Sequence, residues 1–328
     1  MDIIVNKDRK EYIDLAKGVC IIFVMAIHLS NDMIFSMPCI MSFRMPFYFF
    51  ICGLFVSTKY SYRQFVVKKV NALLVPFIFF SIIALIQQLL IAVVEPPHDY
   101  SKILKTILSP YQCINGPLWF LVCLFFSYLI YYFLKKKISK ESLRALAVIL
   151  ISFSGYFMSK ITVFSHHIIL PFFLSTSMTA LIFIYMGGAF RTHLNLLEHS
   201  KRDVIYFILS LIIFIVIQYY LGPNEINMMW NKYSQPYVFT VLGGISGSLI
   251  VIYVCKFIKY IPIVSYIGRY SLIALAVHSI IMPYIAITPN DYINLLILIL
   301  CLCPIIYICK TYLPMLCAQK PFFRIPEN

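Results

Sequence analysis

Long, nearly uninterrupted runs of apolar residues alternate along the chain with short polar segments. A helix that crosses a bilayer needs roughly 20 mostly apolar residues. Measured against that length, the pattern predicts spanning helices at ten places: approximately 13–34, 40–57, 71–94, 116–134, 144–158, 168–190, 204–221, 237–256, 266–287 and 292–313. The fifth has the weakest support, because it is short and contains Ser152, Ser154 and Gly155.

The length of the apolar runs decides the fold class. Strands of a membrane barrel show short segments of alternating hydrophobicity, whereas these runs are long and continuous. Ten spans of about 20 residues use about 200 positions and leave about a dozen residues for each loop or tail. We therefore expect an all-α, polytopic membrane helix bundle that occupies residues 1–328 as one domain, without a soluble domain.

Composition argues against the soluble classes. The chain is 61% hydrophobic and only 12% charged, whereas a typical soluble domain carries about 25% charged residues. The aromatic content of 16% is too high for a disordered chain. These values favour a multi-pass membrane protein with membrane lipids as its partners.

The net charge of +14 raises the question of nucleic-acid binding, which requires a folded basic face or stripe. The basic residues instead follow the loops. With the N-terminus assigned to the cytoplasm, the predicted inside segments hold 20 Lys and Arg residues and the outside segments hold four. This asymmetry is typical of membrane proteins, and an even number of spans then puts both termini in the cytoplasm. No nucleic-acid partner is expected.

Three basic residues are left within or at the edge of predicted spans: Lys17, Arg44 and Arg269. Charge inside a membrane is costly and marks a functional site by default. For Arg269, at the cytoplasmic edge, a side chain that snorkels to the interface is the favoured explanation.

The first span carries a stripe of polar residues. Lys17 and His28 are 11 residues apart, which on a helix places them on one face, about 16 Å apart along the axis. Asp14 precedes Lys17 by three residues and Asp32 follows His28 by four, so both acids can join that face. From the cytoplasmic edge towards the outer half, the stripe therefore carries a carboxylate, an ammonium group, an imidazole and a second carboxylate.

The stripe suggests chemistry. Lys17, with Asp14 beside it, suits the phosphates of a cytoplasmic anionic ligand, and His28 suits a general base. Asp32 would orient the imidazole, as a carboxylate does in the serine-protease triad. The alternative is structural: Lys17 snorkels to the interface and His28 makes an interhelical hydrogen bond.

Three further side chains are candidates. Arg44 has no acidic neighbour in sequence, so it is either an interfacial anchor or the partner of another helix or a ligand. Trp119 begins the fourth span and His278 lies within the ninth. We assign both to substrate binding, although Trp119 also fits an aromatic belt and a lone His is more often structural.

The ten cysteines include no CxxC pair, and no His/Cys spacing suggests zinc, so no metal site is expected. Most of the cysteines lie in apolar runs, where Cys behaves as a small hydrophobe. Cys39 and Cys113 fall in or near outside loops, which leaves a disulfide between them open.

The chain resembles the acyltransferase 3 family of integral membrane acyltransferases, which includes bacterial sugar O-acetyltransferases and the fucose 4-O-acetylase-like group. The stretches that carry the resemblance are Tyr12-Ile-Asp14-Leu-Ala-Lys17-Gly18 through His28, Phe43-Arg44-Met-Pro46-Phe-Tyr-Phe-Phe-Ile-Cys-Gly53, Gly116-Pro-Leu-Trp119-Phe-Leu121, and Ser265-Tyr-Ile-Gly268-Arg-Tyr-Ser271 through His278. The family hallmark in the first span is an Arg, ten intervening residues and a His. His28 falls on the His, whereas Lys17 departs from the Arg and lacks its bidentate fork. Arg44 matches the Arg that precedes the family's Pro-aromatic segment.

The resemblance implies O-acyl transfer in a bacterial inner membrane. The donor would be cytoplasmic acyl-CoA, most often acetyl-CoA, and the acceptor a hydroxyl of a cell-envelope glycan or lipid-linked sugar. His28 would be the base, and Arg44 or another donor would polarise the thioester carbonyl or stabilise its oxyanion. Two alternatives remain: a transporter or flippase for a surface polysaccharide or lipid-linked saccharide, and an inactive family member. The Lys17–His28 pattern does not recur in residues 164–328, so the internal repeat typical of many transporters is not found.

Overall fold

The computed structural model describes residues 10–30, 37–94, 100–163, 166–167, 170–191, 201–222, 224–285 and 287–326. In chain order its helices are α1 (Glu11–Leu29), α2 (Pro38–Phe55), α3 (Tyr62–Lys69), α4 (Val75–Val94), α5 (Ser101–Leu108), α6 (Trp119–Lys137), α7 (Glu141–Met158), α8 (Leu174–Phe190), α9 (Lys201–Tyr220), α10 (Tyr237–Ile258), α11 (Pro262–Arg269), α12 (Ser271–Ile285) and α13 (Asp291–Tyr312). A π-helical turn, Val70–Leu74, joins α3 to α4. Two short antiparallel hairpins pair β1 (Thr162–Val163) with β2 (His166–His167) and β3 (Ile226–Asn227) with β4 (Lys232–Tyr233).

The helices confirm the predicted all-α, polytopic bundle. Within the described ranges, nine helical stretches are long and apolar enough to cross a bilayer, and the bent pair α11–α12 makes ten if it counts as one span. The weakly supported fifth span is present as α7. The third span is longer than predicted, because α3, the π-helical turn and α4 form one stretch over Tyr62–Val94.

The predicted ninth span, 266–287, is not one continuous helix. The chain begins helical structure earlier, at Pro262, and bends by 95° between α11 and α12. Tyr270, at the break, has φ −113° and ψ 32°, outside the helical region. The run Gly268-Arg269-Tyr270-Ser271 interrupts the apolar pattern at this bend. Such a run also fits the edge of a continuous span, so the pattern does not predict the bend.

Two other predicted boundaries are corrected by the backbone. The span expected at 168–190 enters α8 only at Leu174, because Phe172 and Phe173 both have left-handed conformations with φ of 55° and 59°. The span expected at 13–34 leaves the α-helix after Leu29, where Ser30 is extended.

Helix α1 is held inside the bundle, where it packs against α2, α10, α11, α12 and α13. The approach of α1 to α11 is close because glycines meet there. A Cβ on Gly268 would collide with the backbone of Asp14 and Gly18, and a Cβ on Gly18 would collide with the backbone of Val264. These two glycines therefore bring α11 directly against the part of α1 that carries Lys17.

One end of the bundle collects basic residues. The Tyr48 hydroxyl of α2 donates to the carbonyl oxygen of Lys17 at 2.6 Å, which sets the last turns of α2 beside the first turns of α1. The Tyr132 hydroxyl near the end of α6 donates to the carbonyl oxygen of Tyr60 at 2.9 Å, just before α3. We call this end, which also carries Lys69, the basic end.

One basic residue that the loop count assigned to the cytoplasmic side lies inside the bundle. Lys256 is within α10, and its Nζ lies 2.7 Å from Oδ2 of Asp203 in α9. Both side chains are 5% exposed. Removal of one partner from such a pair leaves a buried charge, which is strongly destabilising, so this contact ties the peripheral α9 to α10.

The cysteines are free thiols in the part of the chain that the structure describes, including Cys39 and Cys113, so the disulfide left open by the sequence is not formed. Partial burial raises the pKa of Cys113 to about 12, which makes this thiol unreactive. Among the described residues, no three His, Cys, Asp or Glu side chains are grouped to hold a metal ion.

Candidate active site

Two cavities of about 220 Å³ each adjoin beside α1. Val24 of α1, Met45 of α2 and Leu275 of α12 line both of them, so these three side chains form the wall between the two spaces. Lys17 and Lys69 line the first, which we call the lysine cavity. His28 and Arg44 line the second, which we call the histidine cavity.

The lysine cavity has two cations towards the basic end. Lys17 has its Nζ 2.9 Å from Oδ1 of Asp14, and its side chain is 21% exposed. Lys69 has its Nζ 3.5 Å from the ring centroid of Tyr128, a cation–π contact that holds it over α6. Val24, at the shared wall, is seven residues further along α1 than Lys17, or about 10 Å along the axis.

The rest of the lysine cavity is mainly apolar. Apart from the two lysines, its lining is dominated by aliphatic and aromatic residues, among them Ile21, Ile51, Leu73, Phe120, Leu121 and Leu124. Two phenolic side chains, Tyr48 and Tyr128, add polar atoms. The cavity therefore offers an apolar chamber that opens beside positive charge, which suits a ligand with an anionic head and an apolar arm.

The histidine cavity combines an imidazole with a buried guanidinium. His28 lies in the last turn of α1, and its side chain is exposed. Arg44 is 8% exposed, and its Nη1 has no hydrogen-bond partner among the described residues. A buried donor without a partner is costly, so Arg44 offers a hydrogen bond and a positive charge to a group in this cavity.

His278 lies behind His28. The two ring centroids are 5.3 Å apart and the ring planes are tilted by 41°. His278 is fully buried, and its Nδ1 lies 3.0 Å from the carbonyl oxygen of Ala274. Because a carbonyl only accepts, Nδ1 carries the proton and Nε2 is left as an acceptor; Nε2 has no partner among the described residues. His278 thus faces the His28 ring and is absent from the cavity lining.

Asn115 connects the start of α6 to the His278 helix. Its Nδ2 donates to the carbonyl oxygen of Ala276 at 2.8 Å, and its Oδ1 accepts from the Ser279 hydroxyl at 2.8 Å. A short 3-10 turn, Gly116–Leu118, then leads into Trp119, which is 6% exposed and lines the histidine cavity. Asn115 therefore fixes Trp119 relative to α12.

The hairpin β3–β4 supplies the other side of the histidine cavity. Residues 226–230 line it, including Asn227 and Trp230. The hairpin is anchored by Thr176 of α8, whose hydroxyl donates to the carbonyl oxygen of Met228 at 2.7 Å, and by Asn231, whose Nδ2 donates to the carbonyl oxygen of Gly155 at 2.9 Å. Two helices thus hold this loop in place.

The structure brings some of the predicted residues together and separates others. Lys17 and Asp14 form an ion pair, and His28, Arg44 and Trp119 share one cavity. Arg269 is exposed and lines neither cavity.

Asp32, predicted to orient His28, lies outside the described residues, so its role stays a prediction.

The sequence profile of an acyltransferase domain matches residues 10–313, which cover α1 to α13. The chain belongs to the acyltransferase 3 family. This confirms the family suggested by the motifs around Lys17, His28 and Arg44. No curated protein and no solved structure gives a significant match.

The two cavities differ in the polar groups that they offer. The lysine cavity presents two ammonium groups, and the histidine cavity presents an imidazole and a guanidinium. Val24, Met45 and Leu275 separate these two sets of groups.

Two parts of the candidate site were not predicted from the sequence. The charge count places Lys69 in a loop, although its position directly before an apolar run indicates the end of a span. The sequence predicts only an outside loop where the structure has the hairpin β3–β4. The sequence feature that indicates an ordered loop here is Trp230, one of only two Trp residues in the chain. It lies in a segment rich in turn-forming Gly, Pro and Asn.

Proposed function

We propose that this acyltransferase moves an acetyl or other short acyl group from cytoplasmic acyl-CoA to a hydroxyl of a cell-envelope glycan or lipid-linked sugar. The observation that carries the proposal is the pair of adjoining cavities, one with two lysines and one with His28 and Arg44, on either side of Val24, Met45 and Leu275. Donor and acceptor would reach this wall from opposite ends of the bundle.

The donor would occupy the lysine cavity. Lys17 and Lys69 would neutralise phosphates of CoA, for which the lysine ammonium group serves as a point charge. Asp14 would hold Lys17 at the mouth through its ion pair. The apolar lining would take the pantetheine arm and direct the thioester towards Val24.

The reaction would take place in the histidine cavity. His28 removes the proton from the acceptor hydroxyl, and the oxygen attacks the thioester carbonyl carbon. Arg44 stabilises the negative charge that forms on the carbonyl oxygen. The tetrahedral intermediate then collapses, the carbon–sulfur bond breaks, and the departing CoA thiolate takes the proton from the His28 imidazolium.

The remaining site residues would position these groups. His278, with its Nε2 free to accept, would orient His28, and Asp32 remains a candidate for the same task. Trp119 and Trp230 would bind the acceptor, since sugar rings pack their apolar faces on aromatic side chains. Stacking of this kind does not depend on the position of one hydroxyl.

The membrane arrangement supports this direction of transfer. Lys59, Lys68, Lys69 and Lys135 lie at the basic end, and the positive-inside tendency assigns such an end to the cytoplasm. In a bacterial inner membrane both termini would then be cytoplasmic, the lysine cavity would open towards cytoplasmic acyl-CoA, and the histidine cavity would face the envelope.

The proposal is tested by comparing glycan acylation in cells with and without the protein. We expect acylation to require the wild-type chain, to be lost with His28→Ala, and to persist with Lys137→Ala, an exposed basic-end substitution outside both cavities. Full acylation with His28→Ala at wild-type protein levels would contradict the mechanism. A polysaccharide that is exported normally only when the protein is present, without change in acylation, would favour the flippase alternative.

A further inference from the structure

The chain after α13 folds back onto the start of the long third span. Residues 313–326 make a series of turns, and we call them the tail segment. Gln64 of α3 donates from Nε2 to the carbonyl oxygen of Pro326 at 2.9 Å. The tail segment is therefore hydrogen-bonded to α3 at the basic end of the bundle.

Asn71 makes the main contact with the tail segment. Its Oδ1 accepts from the backbone N–H groups of Phe322 and Phe323 at 3.1 and 2.8 Å, and its Nδ2 donates to the carbonyl oxygen of Phe323 at 2.8 Å. Asn71 is 6% exposed. A buried amide whose three bonds all go to the tail segment would lose them together if that segment left.

The contact lies on the turn that shapes the lysine cavity. Asn71 is the second residue of the π-helical turn Val70–Leu74. Its neighbours Lys69, Ala72 and Leu73 line the cavity. π-Helical turns are rare and often mark functional sites, and this one carries a cavity-lining face on one side and a tail-binding amide on the other.

We propose that the tail segment, through Asn71, holds the π-helical turn in the conformation that keeps Lys69 at the mouth of the lysine cavity, so that Asn71 is a positioning residue for binding of the anionic donor. The inference rests on the proposed function for the identity of the donor. It goes beyond that function by assigning a donor-positioning role to a segment that touches neither cavity.

All three bonds to Asn71 come from the backbone of the tail segment. Removal of the segment and replacement of Asn71 should therefore have the same consequence. When two changes break one contact, the combined variant is no worse than the more severe single change. Three variants follow: Asn71→Ala, deletion from residue 321 onward, and the two combined.

The experiment measures CoA affinity by calorimetry in detergent and, in parallel, modification of Lys69 by an amine-reactive ester, read by mass spectrometry with Lys137 as internal reference. We expect CoA to bind about tenfold more weakly to each variant, the size of one lost charge-assisted contact. We also expect Lys69 to be modified faster and the combined variant to match the single ones. Gln88→Ala is the control, because Gln88 makes the same kind of bond from the same span, to the carbonyl oxygen of Ile114.

The outcomes separate this inference from the proposed function. If the wild type binds CoA and all three variants bind it equally well, with unchanged Lys69 modification, the positioning role is overturned. If the wild type itself does not bind CoA, the proposed function fails. In that case, faster modification of Lys69 in the three variants than in the wild type would still support the role of the tail segment. Additive losses in the combined variant would contradict a shared contact.

Discussion

The rings of His28 and His278 lie 5.3 Å apart between centroids, although the residues are 250 positions apart in the chain. His278 is fixed by its bond to the carbonyl oxygen of Ala274, so its Nε2 is left to accept a proton or a hydrogen bond. In the proposed mechanism this contact lets His278 position the His28 imidazole.

The first prediction separates the two nitrogens of His278. His278→Asn can still donate to Ala274 but has no atom at the Nε2 position, whereas His278→Gln places a polar atom near Nε2. If Nε2 positions His28, kcat should fall about 100-fold in the Asn variant and less in the Gln variant, with little change in KM for either substrate. Equal losses in both variants, together with a lower melting temperature, would indicate a purely structural role.

The second prediction concerns Lys17 and Lys69. Lys17→Ala and Lys69→Ala should each raise KM for acetyl-CoA about tenfold, the size of one charge-assisted contact. Lys17→Arg should be tolerated and Lys17→Glu should not.

Comparison of acetyl-CoA with acetyl-dephospho-CoA identifies the lysine that binds the 3′-phosphate, because its Ala variant should no longer distinguish the two donors. Unchanged discrimination in both variants would exclude both lysines from binding the 3′-phosphate, and an unchanged KM for acetyl-CoA in both would exclude them from phosphate binding altogether. Lys137→Ala serves as the control.

The third prediction tests the hairpin. Trp230→Ala should raise KM for the glycan acceptor about three- to tenfold, in line with the loss of one aromatic contact, whereas Trp230→Phe should keep most of the affinity. KM for acetyl-CoA should not change in either variant, because Trp230 lines only the histidine cavity. A change in KM for the donor alone would contradict the division of tasks between the cavities.

The fourth prediction concerns the packing of α1 on α11. Gly268→Ala introduces a Cβ that collides with the backbone of Asp14 and Gly18, and overpacking of this kind typically costs about 1–3 kcal/mol. The melting temperature in detergent should therefore fall. Gly116→Ala is the matched control, since its Cβ would have no neighbour within 4 Å. A stable Gly268→Ala protein would show that α11 can move away from α1 without cost.

Much of the architecture could be predicted from the sequence, because hydropathy alone sets the length and number of membrane helices. The weak fifth span appears as α7, and the helical class is confirmed. The break at Tyr270 could not be predicted, since the polar run from Gly268 to Ser271 also fits the edge of a continuous span, and the bend depends on the packing of Gly268 on α1. Nor could the place of Lys256, because its partner Asp203 lies on another helix.

The sequence predicted only those site residues that lie on one helix or within one family motif. Periodicity places Lys17 and His28 on one face, and the family motif points to Arg44. Contacts between distant segments were invisible to that reasoning: His278 beside His28, Lys69 over Tyr128, and the tail segment on Asn71. Helix packing determines which of these residues meet. In one sequence with long apolar runs, no local pattern indicates how the helices pack.

The central claim is that His28 carries the acyl transfer at the junction of the two cavities. It is tested most directly by incubating purified protein with acetyl-CoA labelled in the acetyl group and with envelope glycan from cells that lack the protein, and by counting label in the glycan. We predict that His28→Ala lowers the rate of transfer by about 10²- to 10⁴-fold, the usual contribution of a general base, while its affinity for CoA stays at the wild-type value. Transfer by His28→Ala at the wild-type rate would contradict the account.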